Sequence, residues 1–185
     1  PNEVVDVFGA DVLRTYVLFM GDYEKAAPWS ESSVKGCKRF VDRVWNLLEI
    51  ANDSDEYSKK LETSFHKTIK KVTEDINNLG FNTAIAAMMA LINEIGAKKA
   101  INKAEYRTLL VLLNPFAPHI TEEIWENMGF GGQIAHTQWP KFDEAKCVDA
   151  NVEIVVQING KIKARLNVPA DISAPVALGL AKGTD

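Results

Sequence analysis

Catalysis or metal binding needs clustered nucleophilic, titratable or metal-ligating side chains, and His119 with Glu122 and Glu123 is the strongest candidate for such a cluster. A histidine and a carboxylate three residues apart share one face of a helix, as metal ligands often do. No second histidine stands at a helical offset, however, and a zinc site needs three or four ligands. We therefore predict no metal site, no cofactor and no catalytic residue in this chain.

The two cysteines carry no chemistry of this kind either. Cys37 and Cys147 lie far apart in the sequence and belong to no CxxC pair. The pattern favours buried thiols in a reducing compartment over a metal site or a disulfide framework.

The distribution of basic residues indicates the binding of a polyanion. The net charge of −4 taken alone argues against nucleic acid. Residues 1–32, however, carry six acids against two bases, whereas residues 33–71 carry nine bases against six acids. A phosphate-binding surface needs local positive potential rather than a basic protein. Residues 33–71 therefore hold the first candidate surface.

The candidate phosphate-binding residues share one face of a helix predicted to begin near Ser30–Ser33. At about 100° per residue, four polar side chains fall within a sector of roughly 80°. These are Lys35, Arg39, Arg43 and Asn46, and the core stripe opposite them is Val34, Cys37, Val41, Val44, Trp45 and Leu48. An ordinary solvated face is the alternative interpretation.

The second helix is predicted over Tyr57–Leu79, with Gly80 as its carboxyl-terminal cap. Its apolar stripe is Leu61, Phe65, Ile69, Val72, Ile76 and Leu79. Lys67 and Lys71, with Lys60, occupy the outer face, where they either extend the basic surface or keep the helix soluble. His66, at the edge of the stripe, is expected to be a partly buried neutral imidazole.

Two more helices and a proline break complete the predicted bundle. Residues 82–95 are apolar almost all round, so this third helix is expected to be central. Asn102 and Glu105 form a capping-box pattern for a fourth helix. Pro115 and Pro118 end it, and a fifth helix follows with Glu122 and Glu123 expected in its first turn. The fold is therefore predicted to be mainly α, an antiparallel helical bundle with a short carboxyl-terminal β-hairpin.

The hairpin is predicted from period-two alternation between Asn151 and Val168. A two-residue turn would place Ile158 opposite Lys161 and mix apolar with charged side chains on each face, so we predict a three-residue loop instead, with Gly160 left-handed. That register pairs Val156 with Ile162. It also places Lys161, Lys163 and Arg165 together on one basic face, the second candidate surface, while Trp139 anchors the preceding segment.

Several stretches in this order resemble the bacterial leucyl-tRNA synthetases, a family of class I aminoacyl-tRNA synthetases. The resemblance covers residues 1–172 and rests on FGADVLR (8–14), FMG (19–21), PWS (28–30), LLNPFAPHITEEIWE (112–126) and VEIVVQINGK (152–161). It implies the anticodon-binding bundle, which in related enzymes faces the inner bend of tRNA. The tRNA-binding residues it supports are Lys35, Arg39, Arg43, Asn46, Lys67, Lys71, Lys161, Lys163 and Arg165.

The resemblance also implies what the rest of such an enzyme does. The whole enzyme attaches leucine to tRNA(Leu) with ATP and Mg²⁺, and its HIGH and KMSKS motifs and editing domain precede the region resembled here. This chain, expected to be an internal fragment lacking both motifs, should be inactive alone while positioning tRNA(Leu) for the remainder of the synthetase. A cytoplasmic location without membrane contact is expected, because no apolar run reaches spanning length.

The expected organisation follows from these patterns. Residues 1–32 connect to the catalytic core, with Arg14, Tyr16 and Trp29 packing the junction. Residues 33–130 form the bundle, and residues 131–150 form an extended linker. Residues 151–172 are the hairpin that begins a truncated domain, and residues 173–185 are disordered or foreign to the natural protein.

Two alternatives remain open from sequence. A valyl-, isoleucyl- or methionyl-tRNA synthetase shares the bundle, although the basic hairpin and the lack of a terminal cysteine cluster favour leucine. A helical module that docks to proteins would need a contiguous exposed apolar patch, of which the sequence shows no sign.

Overall fold

The chain begins with two short helices followed by a long amphipathic one. The computed structural model describes residues 1–21, 28–149, 151–159 and 161–183. Helix α1 spans Asn2–Phe8, α2 spans Ala10–Phe19 and α3 spans Glu31–Asn46. The Ser30 Oγ accepts a hydrogen bond from the Ser33 N–H at 3.3 Å. This satisfies one of the donors that a helix start leaves unpaired, so α3 begins where the serines predicted it.

The next two helices form an antiparallel pair whose turn differs from the prediction. Helix α4 spans Glu62–Asn77 and α5 spans Phe81–Lys98. The Leu79 N–H bonds to the Ile76 carbonyl at 3.2 Å, and the Gly80 N–H bonds to the Asp75 carbonyl at 2.7 Å. This is a Schellman motif in which Leu79, at φ 58°, takes the left-handed position. The prediction that Gly80 caps α4, and that Leu79 belongs to the core, was wrong.

Helix α6 is the most buried helix in the described part of the bundle, and α5 is less buried than its apolar sequence suggests. Helix α6 spans Lys103–Leu113, and every side chain from Thr108 to Leu113 is buried. Helix α5 leaves Ala86 and Ala90 exposed. Alanine is the strongest helix former and is small enough to face water at little cost, so its presence did not require burial. Helix α5 contacts α2, α3, α4 and α6, so the prediction that residues 82–95 form a central helix is confirmed, although the helix is not buried all round.

The predicted capping box of α6 is confirmed. The backbone N–H of Asn102 donates to the Glu105 Oε2 at 2.8 Å, and the Asn102 side chain caps the first turn in return. Just before this cap, Ile101–Asn102 (β2) pairs in parallel with Ala51–Asn52 (β1). These bridges and the Tyr106 hydroxyl, which donates to the Val44 carbonyl at 2.6 Å, connect α6 to the end of α3.

The proline break is confirmed, but a residue from elsewhere in the chain supplies the charge at the new helix start. Helix α7 spans Pro118–Asn127. Asp11 of α2 accepts the Ile120 N–H at 2.7 Å, and its other oxygen lies 2.8 Å from the His119 Nδ1. The first turn of α7 contains no acidic residue, so the prediction that Glu122 and Glu123 lie in that turn was wrong. Glu122 instead accepts the Ile134 N–H at 3.1 Å.

After α7 the chain crosses back over α4. This connecting segment, residues 139–149, is attached by the Trp139 Nε1, which donates to the Thr73 Oγ1 at 2.8 Å. The Asp143 N–H donates to the His66 Nδ1 at 3.0 Å. An imidazole nitrogen that accepts a hydrogen bond carries no proton. Both expectations, Trp139 as an anchor and His66 as a buried neutral ring, are therefore confirmed.

The hairpin exists, but its predicted register was wrong. Strand β3 spans Asn151–Ile158 and β4 spans Lys161–Pro169, and Ile158 lies directly opposite Lys161. Val156 faces Ala164 whereas Gln157 faces Ile162, so Lys163 is an extra, bulged residue. A two-residue turn without a bulge would mix apolar and charged side chains on each face of the hairpin. The bulge prevents this beyond the turn, because it restores the apolar pairing of Ile154 with Leu166. Gly160, predicted to be left-handed, lies outside the described residues.

The last described element contradicts the disorder predicted for residues 173–185 over its described part, while the alternative that these residues are foreign to the natural protein stays a prediction. Helix α8 spans Ala174–Lys182 and contacts β4. Its first turn contains Pro175, a residue suited to helix starts. In the described part of the chain, no helix combines the length and apolar character needed to cross a membrane.

Candidate nucleic-acid interface

The basic face of α3 is exposed as predicted. Val34, Cys37, Phe40, Val41 and Val44 bury the inner side of the helix, and the polar side chains lie on the other side. All four candidates there face solvent, namely Lys35, Arg39, Arg43 and Asn46. The prediction differs at two core positions, because Trp45 is 40% exposed and the buried Phe40 was missed. We call Lys35, Arg39, Arg43 and Asn46 the α3 face.

The cations of the α3 face are not neutralised by neighbouring carboxylates. Lys35 and Arg39 form no ion pair within the described residues. Arg43 donates from its Nη1 to the Asn93 Oδ1 at 2.8 Å, which leaves its positive charge intact. The ion pair on α3 is between Lys38 and Asp42, beside this face. The α3 face therefore retains the positive potential that attracts phosphate.

The lysines of α4 have carboxylate partners. Lys71 pairs with Asp75 at 2.6 Å within the helix. Lys67 pairs with Asp149 and Lys70 with Glu144, both acids of the connecting segment. The hydrogen bond to Glu144 raises the pKa of Lys70. Neither interpretation of the α4 lysines anticipated that Lys67 and Lys70 hold residues 139–149 against α4.

The connecting segment also presents a base to α4. Lys146 pairs with Glu62 at 2.6 Å, and this bond lowers the pKa of Glu62 and raises that of Lys146. Exposed pairs of this type contribute little individually, about 0–1 kcal/mol each. A polyanion can therefore compete for Lys67 and Lys71 more easily than if they were buried, but less easily than for the unpaired α3 face.

The three basic residues of the hairpin are exposed but do not share one face. Lys161 lies opposite Ile158, whereas Arg165 lies opposite Val155. Residues 155 and 158 point to opposite sides of a strand, because side chains alternate along it. The bulge at Lys163 therefore separates Lys161 from Arg165, and Arg165 pairs with Glu153 at 2.8 Å. The prediction of one basic hairpin face was wrong.

The sequence pattern did not indicate one residue that lies beside the α3 face. Asn93 on α5 is exposed and accepts the hydrogen bond from Arg43. The sequence predicted that this helix is apolar almost all round and central, so its polar positions were not considered. The spacing within α3 contains no signal for a partner fifty residues away, and only the packing of α3 beside α5 shows it.

Arg14, Tyr16 and Trp29 make contacts where the first two helices meet the bundle. The Arg14 Nη2 donates to the Pro115 carbonyl at 3.0 Å. The Tyr16 hydroxyl accepts the Ser30 N–H at 2.9 Å, and its ring meets that of Trp29 edge-on, with centroids 4.8 Å apart. These contacts connect α2 to the start of α3 and to the proline break, so they hold the α3 face relative to the first two helices.

Other reactive groups are structural. Among the described residues, no group of three or more His, Cys, Asp or Glu side chains could hold a metal ion. Burial raises the pKa of Cys37 to about 11, which keeps this thiol protonated and unreactive near neutral pH. Cys147 is only partly buried, contrary to prediction, and its pKa is also raised by desolvation.

Comparison with known proteins identifies the class to which this bundle belongs. The family model described as "Anticodon-binding domain of tRNA ligase" matches residues 58–178. The match covers more than half of the chain, which therefore belongs to this family.

Within this family the chain is similar to leucine enzymes. A leucine–tRNA ligase from Alkaliphilus oremlandii (strain OhILAs) is 56% identical over 174 residues. The aligned region covers 94% of this chain and 22% of the relative's length. The crystal structure of Agrobacterium radiobacter K84 agnB2 LeuRS in ternary complex with tRNA and LeuAMS matches at 30% identity with a TM-score of 0.77. This match covers 97% of this chain and 26% of that one. The resemblance to leucyl-tRNA synthetases is thus confirmed.

Proposed function

We propose that this chain positions tRNA(Leu) for a leucine–tRNA ligase by binding its sugar–phosphate backbone on the α3 face. The observation that carries the proposal is the exposure of Lys35, Arg39 and Arg43 on one face without carboxylate partners among the described residues. The LeuRS that resembles the chain in structure is described in complex with tRNA, which supports the same class of ligand.

The proposed task is orientation rather than chemistry. Phosphate contacts fix how a nucleic acid lies on a protein and carry no sequence information by themselves. Reading unpaired bases would require exposed aromatic side chains. Of the two aromatic residues of α3, Phe40 is buried, and the partly exposed Trp45 lies away from the α3 face, beside Phe8 and His119. The α3 face therefore suits a cradle that holds tRNA so that its distant acceptor end reaches the active site in register.

The whole protein is proposed to be an ATP-dependent ligase of the cytoplasm. The 56% identical relative is a leucine–tRNA ligase, and this chain spans 22% of its length. The HIGH and KMSKS motifs, ATP with Mg²⁺ and the editing domain are assigned to other portions of such an enzyme. This chain by itself would then bind tRNA(Leu) without attaching leucine to it.

The test is a salt titration of tRNA(Leu) binding to the 185-residue chain, followed by fluorescence anisotropy of a labelled transcript. Each phosphate neutralised contributes a slope of about −0.7 to −0.9 to the plot of log affinity against log salt. Replacing Arg39 and Arg43 with Ala should reduce the slope by roughly one to two and weaken binding.

Two variants with the same change of charge serve as comparisons. Lys59→Ala/Lys141→Ala removes two exposed lysines outside α3 and should leave the slope close to that of the original chain. Lys67→Ala/Lys71→Ala should have an intermediate effect, because these lysines are already paired with Asp149 and Asp75. An unchanged slope in Arg39→Ala/Arg43→Ala, with a reduced slope in either comparison, would exclude the α3 face as the binding surface.

A further inference from the structure

We infer that Asn93 of α5 is a further RNA-contacting residue, and that Arg43 and Asn93 together direct N–H donors at an oxygen of the sugar–phosphate backbone. The inference rests on the proposed function and extends the binding surface from α3 to a second helix. Both side chains are exposed, and the hydrogen bond between them joins residues fifty positions apart.

The orientation of the Asn93 amide follows from its partner. A guanidinium has five N–H donors and no acceptor, so the atom that faces Arg43 has to be the amide oxygen. The Arg43 Nη1 to Asn93 Oδ1 distance of 2.8 Å is that of a well-formed hydrogen bond. The Asn93 NH₂ group therefore points away from Arg43, and it has no hydrogen-bond partner among the described residues.

The pair consequently presents mainly donors on its outer side. The amide oxygen is directed at Arg43, so the amide NH₂ group and the N–H groups of the exposed guanidinium are the donors available to a ligand. The adjacent Glu94 keeps its negative charge, and its carboxylate is directed toward α4, where it accepts a hydrogen bond from the Ser64 hydroxyl. Phosphate and ribose oxygens are acceptors that match such a set of donors.

The surface beside Arg43 and Asn93 leaves room for a nucleic-acid backbone to approach both side chains. A Cβ added to the exposed Gly96, one turn after Asn93, would lie 3.8 Å from the Arg43 Nη2. Arg43, a residue of α3, therefore lies along the edge of α5 at this point. Its positive charge is close to the surfaces of both helices. A backbone that contacts Arg43 from solvent reaches Asn93 without moving either helix.

A purely structural role for the hydrogen bond makes a different prediction, and two variants of Asn93, Asn93→Asp and Asn93→Ala, test it. The aspartate keeps the size of the side chain and accepts from Arg43 more strongly than the amide does. It replaces the outward donors with a charged acceptor. Because this change also neutralises Arg43, the two roles are separated in the Arg43→Ala background. If Asn93 only holds Arg43, adding Asn93→Ala leaves tRNA(Leu) binding there unchanged; if Asn93 contacts RNA, binding weakens further.

We expect Asn93→Asp to weaken tRNA(Leu) binding by about tenfold or more, because a donor to a charged group is replaced by a repelling carboxylate. The salt slope should fall by roughly one as Arg43 is neutralised. Asn93→Ala should weaken binding by about threefold with the slope unchanged, because a neutral contact is lost. Asn127→Asp, an exposed site on α7, provides the matched change of charge and should bind like the original chain.

Thermal unfolding of each variant shows that the fold is retained. The inference would be overturned if Asn93→Asp bound tRNA(Leu) as tightly as Asn127→Asp does while Arg39→Ala/Arg43→Ala still reduced the salt slope. If Arg39→Ala/Arg43→Ala itself binds tRNA(Leu) like the original chain, the α3 face is not the binding surface and the proposed function fails. This outcome does not depend on Asn93, so it is distinguishable from failure of the inference alone.

Discussion

Glu105 is the buried charge whose removal should cost the fold most. Its side chain is fully buried at the start of α6. One carboxylate oxygen accepts the Ser58 N–H at 2.8 Å and the Ser58 hydroxyl. The other accepts the Asn102 N–H at 2.8 Å and lies 3.5 Å from the Lys98 Nζ. One carboxylate thus joins the end of α5, the segment before α4 and the start of α6.

The variant Glu105→Gln keeps the shape and removes the charge. Since a backbone N–H donates to each oxygen, either orientation of the glutamine places its NH₂ group against an N–H donor. A buried donor left without an acceptor costs about 1–3 kcal/mol. Lys98, with only 16% of its side chain exposed, also loses its counter-charge. We therefore expect the free energy of unfolding to fall by about 3 kcal/mol.

The measurement is urea unfolding followed by far-UV circular dichroism at neutral pH. Glu126→Gln, at an exposed position of α7, is the control and should change stability by less than about 0.5 kcal/mol. In Lys98→Met the further cost of Glu105→Gln should be smaller, because the charge pair is already absent. A loss below about 1 kcal/mol for Glu105→Gln in the original chain would refute this account of the buried network.

Two further predictions concern α4. Leu79→Gly should raise the free energy of unfolding by about 0.5–1 kcal/mol in urea titrations, because an exposed leucine at φ 58° is relieved of left-handed strain. Leu79→Ala keeps that strain, so an equal gain from alanine would contradict the explanation. Burial, followed by the nearby Lys146, lowers the pKa of His66 below its usual 6.5. The unfolded chain therefore binds the proton more readily, and stability should be constant above pH 6.5 and decline below it. His66→Gln, which can accept a hydrogen bond but does not titrate, should reduce that decline in unfolding midpoints measured from pH 8 to 5; an unchanged pH dependence would exclude His66 as its source.

The sequence by itself determined the features that depend on neighbouring residues. The Ser30 cap, the Asn102–Glu105 capping box and the proline break each arise from interactions within one turn of helix, so their residue types suffice to predict them. The exposure of the α3 face was predictable for the same reason. In an amphipathic helix the polar positions lie opposite the apolar stripe, and this arrangement does not depend on the rest of the chain.

Tertiary structure decided the features that depend on distant residues. Asp11 reaches the start of α7 across 108 positions, Asn93 meets Arg43 across 50, and acids of the connecting segment pair with lysines of α4. The bulge at Lys163 was likewise settled by pairing along the whole hairpin rather than by the turn. Local sequence restricts backbone angles and faces, but which surfaces meet depends on how the helices pack, and no spacing within a single helix contains that information.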